Sequence, residues 1–204
     1  AFEEAPGPEP VRPELPVVPW PVSARTPEGV AAQAARLLAE PGREPRDVGF
    51  SLATTRSALE RRAVVLGADH DELRSGLTAV VAGTPAAGVV TGAVRNGLTA
   101  FVFSGQGGQR LGMGRDLAAA FPVFDAALSQ VCAQFDTLLD RPLRQVVDSA
   151  ADDLGRTGWA QPALFAVEVA LFRLLESWGL APDYLIGHSI GELAAAHVAG
   201  VLDL

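Results

Sequence analysis

Ten residues constrain the fold of this chain more than any other stretch: Asp183-Tyr-Leu-Ile-Gly-His-Ser-Ile-Gly-Glu192. Tyr184, Leu185 and Ile186 form a short apolar run, Gly187-His188-Ser189-Ile190-Gly191 follows, and Leu193 to Val198 reads as helix. Strand, Gly-x-Ser-x-Gly and helix is the context of a nucleophile elbow. A tight strand-to-helix turn brings backbones together and strains its central residue, so Gly187 and Gly191 are needed to remove Cβ clashes. Ser189 is then held out at a helix N-terminus, where free amides and the macrodipole favour developing negative charge. The plainer alternative is a serine N-cap between two packing glycines.

With 204 residues and 49% hydrophobic side chains, the chain can form one large domain or two small ones around a sizeable core. A formal charge of −8 argues against a nucleic-acid or anionic-membrane surface. Cys132 is alone, which excludes an intrachain disulfide and a cysteine metal cluster. No apolar run of membrane-spanning length and no signal peptide is evident, so cytoplasmic residence is expected by default. Met113 is the sole methionine and the sequence opens at Ala1, which suggests a piece of a longer polypeptide.

Residues 1–22 interleave seven prolines with Glu3, Glu4, Glu9 and Glu14 and read as an extended tether, with Val17, Val18 and Trp20 available to anchor one end. Thr26-Pro27 starts a helix that Pro41-Gly42 stops, Asp47 to Thr55 suggests another, and Ala63 to Leu66 reads as a strand. Asp69 with Glu72 resembles a capping box before a helix with Leu73, Leu77, Val80 and Val81 on one face. His70 between Asp69 and Asp71 is a metal candidate, but a solvated helix start is favoured. Val89-Val90 and Ala93-Val94 are weak strand candidates, so residues 23–97 form a small α+β unit without a chemical constellation.

The texture changes at Leu98 to Phe103, which reads as a continuously buried strand running into Ser104-Gly-Gln-Gly-Gly-Gln109. That loop lacks the Lys-Ser/Thr of a P-loop and the later glycine of a dinucleotide fingerprint. Its amides can instead line an oxyanion site beside another strand end. Phe121-Pro122 opens a helix with Phe124, Leu128, Val131, Phe135 and Leu138 on one face, with Cys132 inert in its core. Pro142 to Val147 is a short helix. Gln161-Pro162 starts the most apolar helix, Ala163 to Trp178, expected to be buried beside the sheet.

A serine nucleophile needs a base within hydrogen-bond reach. His188 adjoins Ser189 but leaves the turn in another direction, and His197 lies about 12 Å along the helix at 1.5 Å per residue. His70 belongs to the other unit. The residues therefore supply a nucleophile without a base.

Phe101-Val-Phe-Ser-Gly-Gln-Gly-Gly-Gln109 with Gly112-Met-Gly114, Trp159-Ala-Gln-Pro-Ala-Leu-Phe165 and Gly187-His-Ser-Ile-Gly-Glu192 together resemble malonyl-CoA:acyl carrier protein acyltransferases, in the same order and at similar spacing. Val18-Pro19-Trp20 through about Val94 resembles the linker domain between ketosynthase and acyltransferase in modular type I polyketide synthases, and Glu3-Glu4-Ala5-Pro6 resembles the end of a ketosynthase. Ser104 departs from the family's usual proline, a difference expected to alter loop stiffness and not chemistry.

The resemblance implies an α/β protein: a Pro/Glu-rich linker over 1–22, a small α+β linker domain over 23–97, and over 98–204 the N-terminal part of an α/β-hydrolase-like acyltransferase core. It implies that Ser189 accepts a malonyl-type group from malonyl-CoA and passes it to the phosphopantetheine thiol of an acyl carrier protein, with no bound cofactor or metal. Backbone amides of Gln106 and Ile190 would form the oxyanion hole, and His188 and Gln161 would line the substrate pocket. The family's histidine base and carboxylate-binding arginine would lie beyond Leu204, in a missing C-terminal half. Implied partners are that half and the ketosynthase and carrier domains of the same synthase, with neither nucleic acid nor membrane. Rival readings are a serine esterase or thioesterase and a non-catalytic spacer.

Overall fold

The computed structural model describes residues 17–40 and 42–204, so most of the proline-rich stretch and the helix stop at Pro41 lie outside the described residues. The chain divides into two compact units, with the boundary between Asn96 and Gly97.

In the first unit, strand β1 (Val18–Ala24) precedes helices α1 (Pro27–Ala39) and α2 (Pro45–Thr55), strand β2 (Arg61–Gly67), helix α3 (His70–Ala82) and strand β3 (Val89–Ala93). The sheet order is β1-β2-β3, and both pairings are antiparallel. Residues 18–22 are thus a strand, contrary to the tether expected from their prolines. The physical reason is alternation at an edge: Val18, Trp20, Val22 and Ala24 point into the core, whereas Pro19 and Pro21 fall between them.

The helix starts follow local chemistry. Thr26 accepts from the Gly29 amide at 3.1 Å with Pro27 in the first turn, and Asp69 accepts from the Glu72 amide at 2.9 Å. Glu72 reaches back to the Ala68 amide at 2.9 Å, one residue before the cap. His70 is thereby the first residue of a capped helix. Leu73, Leu77 and Val80 of α3 pack with Val30 and Ala34 of α1 against Ala63 and Val65 of β2, whereas Val81, expected on the same face, is turned past it and exposed.

The second unit runs β4 (Ala100–Phe103), α4 (Arg115–Ala120), α5 (Pro122–Phe135), α6 (Leu143–Ser149), α7 (Ala151–Leu154), α8 (Thr157–Ser177), β5 (Tyr184–Gly187) and α9 (Ile190–Val198). β4 and β5 pair in parallel, register Ala100 to Tyr184 through Phe103 to Gly187. Helix α8 is the centre of the core. Its Ala163, Ala166 and Ala170 are essentially buried, and α5 packs Phe124, Leu128 and Val131 into the same cluster.

Three readings of this half are corrected. β4 is not continuously buried: Phe103 is buried, whereas Val102 is 74% exposed. Only one face of the strand is covered, with Phe101 and Phe103 meeting Phe172 of α8 at ring distances of 6.1 and 6.3 Å. Leu138 lies past the end of α5 and is exposed, so it is not on that helix's core face. Helix α8 starts at Thr157, which places Pro162 inside it; Trp159 and Ala160 are buried, and packing of this first turn outweighs the backbone bond that proline cannot donate. The 21 residues of α8 also meet the length and composition of a membrane span, with mean hydropathy 1.2, although half of that window is buried in the protein.

Cys132 is buried, and desolvation raises its thiol pKa to about 11. Alkylation near pH 8 should therefore be about 10²-fold slower in the folded protein than in denaturant, because the thiolate is the reacting species. Time-resolved mass analysis with iodoacetamide checks this, and equal rates would contradict the burial.

Candidate active site

Parallel pairing brings the C-terminal ends of β4 and β5 side by side, and the His188 amide extends the contact by donating to the Phe103 carbonyl at 3.1 Å. The upstream end is fixed by Asp183, which accepts from the Thr99 amide at 2.7 Å through Oδ2 and donates its own amide to the Thr99 carbonyl at 2.8 Å. The glycine-rich loop leaves one strand end and Ser189 leaves the other.

Ser189 has φ 55° and ψ −123°, and is the one non-glycine residue with positive φ among those described. Such a conformation costs on the order of 1–3 kcal/mol and persists only where surroundings over-determine it. Here they do. A Cβ on Gly187 would collide with the backbone of Gly191 and Glu192, and one on Gly191 would lie 2.5 Å from the Phe103 carbonyl oxygen and 2.6 Å from that of Ser104. The turn is closed by Gly191 and Glu192 amides donating to the His188 and Ser189 carbonyls at 3.0 and 2.9 Å. The Ser189 side chain caps no helix amide, so the plain N-cap alternative fails.

The loop from β4 comes equally close. A Cβ on Gly105 would sit 2.5 Å from His188 Nδ1 and 3.1 Å from the His188 carbonyl oxygen, so this position excludes side chains. Gly107 adopts φ 131°, and its amide donates to Gln109 Oε1 at 2.8 Å. Neither the Gln106 nor the Ile190 amide donates to an acceptor among the described residues. The Gln106 side chain makes a long 3.5 Å contact with Thr157 Oγ1, and Gln161 lies one turn further along α8. Ser189, His188, Ile190 and Gln106 thus gather around the two strand ends, with Gln161 on the adjoining helix.

His197 Nδ1 faces the Leu202 carbonyl oxygen at 3.0 Å and its ring packs 5.7 Å from Phe165, while His70 belongs to the first unit. No histidine hydrogen-bonds Ser189 among the described residues.

Glu168, which sequence reasoning passed over, adjoins the site. Its Oε1 accepts from both the amide and the hydroxyl of Ser104, each at 2.8 Å, while Oε2 is buried without a partner. Desolvation raises its pKa above the ordinary glutamate value, opposed by the two Ser104 bonds. The available signal is an acid in the middle of the apolar run of α8, away from the charged pair Arg173 and Glu176 near its end.

A serine on a strained strand-to-helix bend, beside a glycine loop from the neighbouring parallel strand, places this half among α/β proteins with nucleophile-elbow geometry. The chain belongs to the acyl transferase domain family, whose model matches residues 100–204. It is 53% identical over 195 residues to polyketide synthase GfsB of Streptomyces halstedii, a match covering 93% of this chain and 4% of that protein. It is 54% identical over 217 residues to the phenolphthiocerol synthesis polyketide synthase type I Pks15/1 of Mycobacterium marinum, covering 100% of this chain and 10% of that one. The chain therefore spans a tenth or less of these relatives.

Among solved structures, the acyltransferase domain from module 8 of the salinomycin polyketide synthase superposes with a TM-score of 0.84 at 38% identity, covering 93% of this chain and 47% of that one. The acyltransferase domain of SpnD, in complex with 2-(pent-4-yn-1-yl)malonyl, gives a TM-score of 0.79 at 34% identity over 94% of this chain and 46% of its own. The mixed α/β architecture is that of polyketide synthase acyltransferase domains, of which the chain spans just under half.

The strain at Ser189 has a measurable consequence. Ser189→Gly should be about 1 kcal/mol more stable than Ser189→Ala in urea denaturation, since glycine accepts positive φ without penalty. Equal stabilities would show that the bend stores no strain.

Proposed function

We propose that this chain carries the nucleophile and oxyanion-binding half of a polyketide synthase acyltransferase, preceded by a ketosynthase–acyltransferase linker domain over 23–97 and a proline-rich linker over 1–22. Residues 98–204 correspond in this reading to the N-terminal part of an α/β-hydrolase-like core. The observation that carries it is the strained backbone of Ser189, whose side chain is spent on no helix cap.

Ser189 Oγ attacks the thioester carbonyl of an acyl-CoA; the carbon–sulfur bond breaks, the serine ester forms, and the hydroxyl proton ends on the departing CoA thiol. The phosphopantetheine thiol of a carrier protein then attacks the ester, a new thioester forms and the serine recovers its proton. In both halves the carbonyl oxygen gains negative charge, for which the Gln106 and Ile190 amides are positioned candidates because no protein acceptor occupies them. His188 lies against the loop that carries Gln106, and Gln161 lies on the helix that loop touches; both are assigned to the substrate pocket.

The base is assigned to polypeptide outside these residues. Support comes from the two engagements of His197 and from the solved domains, of which the matched portion is just under half. General-base assistance is worth about 10²–10⁴-fold, so residues 1–204 alone should load little acyl group. The carboxylate-binding arginine is assigned to the same outside segment. The ketosynthase and carrier domains of the parent synthase are the proposed partners, in the cytoplasm, in keeping with the multidomain relatives. An esterase or thioesterase, or a spacer, is disfavoured by the family match over residues 100–204.

A malonyl-type group is the proposed substrate. Ile190 beside Ser189 and the Trp159-Ala-Gln-Pro stretch support it, as does the match to a domain solved with a malonyl derivative.

Two outcomes are expected. Supplied with the remaining half of a matched domain, the wild-type chain should gain the malonyl mass increment and Ser189→Ala should gain none; persistent labelling of the variant, or full loading by residues 1–204 alone, contradicts the assignment. In competition, malonyl-CoA should be preferred over methylmalonyl-CoA; Ile190 supplies only a modest part of that, since a methylene-sized difference beside an apolar residue is worth about 1–3 kcal/mol, and the main determinants are assigned to the polypeptide outside these residues. A methylmalonyl preference would overturn the substrate reading.

A further inference from the structure

Three glycines, Gly105, Gly107 and Gly108, make the loop after β4 intrinsically free to move, yet the Gln106 amide within it needs a fixed direction to serve an oxyanion. The ties available are unequal. The Gln106 side chain reaches Thr157 at 3.5 Å, and the Gly107 amide is bonded only within the loop. Ser104, where the loop begins, is held by two 2.8 Å bonds to Glu168 across 64 residues of sequence.

Ser104 is also where the two halves of the site touch. Its carbonyl oxygen lies 2.6 Å from the place a Cβ on Gly191 would occupy, so its backbone rests against the first turn of α9, two residues beyond Ser189. A carboxylate in the long core helix, with one oxygen buried and unpartnered, is an expensive placement if it serves packing alone. Proline at position 104, usual in the family the sequence resembles, would fix φ through its ring and could not donate an amide. Serine provides two donors instead, and Glu168 accepts both on one oxygen.

We propose that Glu168 is a positioning residue: acting through Ser104, it clamps the base of the glycine-rich loop and thereby aims the Gln106 amide at the acyl carbonyl oxygen. The oxyanion role of that amide rests on the function proposed above; the clamp itself does not. It replaces by hydrogen bonding the stiffness that a proline would supply covalently.

Two measurements test it. In residues 1–204, Glu168→Ala should speed amide hydrogen exchange at Ser104 to Gly108 by about 10-fold or more while α8 exchange is unchanged, and Glu168→Gln, which keeps an acceptor oxygen, should stay closer to wild type. In the complemented acyltransferase, Glu168→Ala should lower kcat for malonyl loading by about 10–100-fold with KM little changed, because a misaimed donor is lost mainly in the transition state. Glu168→Gln should recover most of that rate. In a Ser104→Pro background, which deletes both donors, Glu168→Ala should change kcat by less than about twofold. Unchanged loop exchange in Glu168→Ala, or an equal loss with and without Ser104→Pro, would overturn the clamp. A complemented wild-type protein that forms no acyl-enzyme would instead overturn the catalytic reading on which the aiming of Gln106 rests.

Discussion

The second unit depends on one close approach: the first turn of α9 pressed against the carbonyls that end β4. Gly191 permits it, and no side chain larger than hydrogen fits between that turn and the Phe103 and Ser104 oxygens. Given this contact, β5 has little length in which to reverse into helix, and Ser189 takes the positive φ that the reversal demands. Cooperative packing must then hold the bend against its strain. The His188 bond to Phe103, the Asp183 bonds to Thr99 and the covering of β5 by α9 share that task.

The same approach explains why α8 has its composition. A parallel strand pair needs a crossover connection, and a long apolar helix alongside the strands supplies it while burying one face of the sheet. Small residues Ala163, Ala166 and Ala170 let neighbouring elements come near, and Phe172 fills the space under β4. Against that background a charged side chain is conspicuous. Glu168 is oriented towards the strand end, where two donors on one residue offset part of its desolvation.

What could be read in advance was local. The elbow, the capped starts of α1 and α3 and the apolar run of β5 are written in neighbouring residues, and each appears where its residues place it. What was missed depended on partners distant in sequence. β1 reads as proline-rich tether until β2 is known to pair with it, and Val102 reads as core until β4 is seen to be covered on one face. The start of α8 reads as Pro162, a strong local stop, but burial of Trp159 and Ala160 overrides it. Glu168 belongs to the same group: a single acid acquires meaning only once Ser104, far back in the chain, lies beside it.

The edge position of β1 has an effect on assembly. Pro19 and Pro21 have no amide hydrogens to offer, and Gly49 of α2 lies against the Pro19 carbonyl oxygen, 2.7 Å from where its Cβ would be. The Trp20 indole is tied to the Pro45 carbonyl at 2.8 Å, which seats the start of α2 beside the same strand. An incoming strand would find neither donors at the two prolines nor an open acceptor between them. The three-stranded sheet therefore has an end-stop written into its first strand, which disfavours lengthening there by the strand of a neighbouring copy.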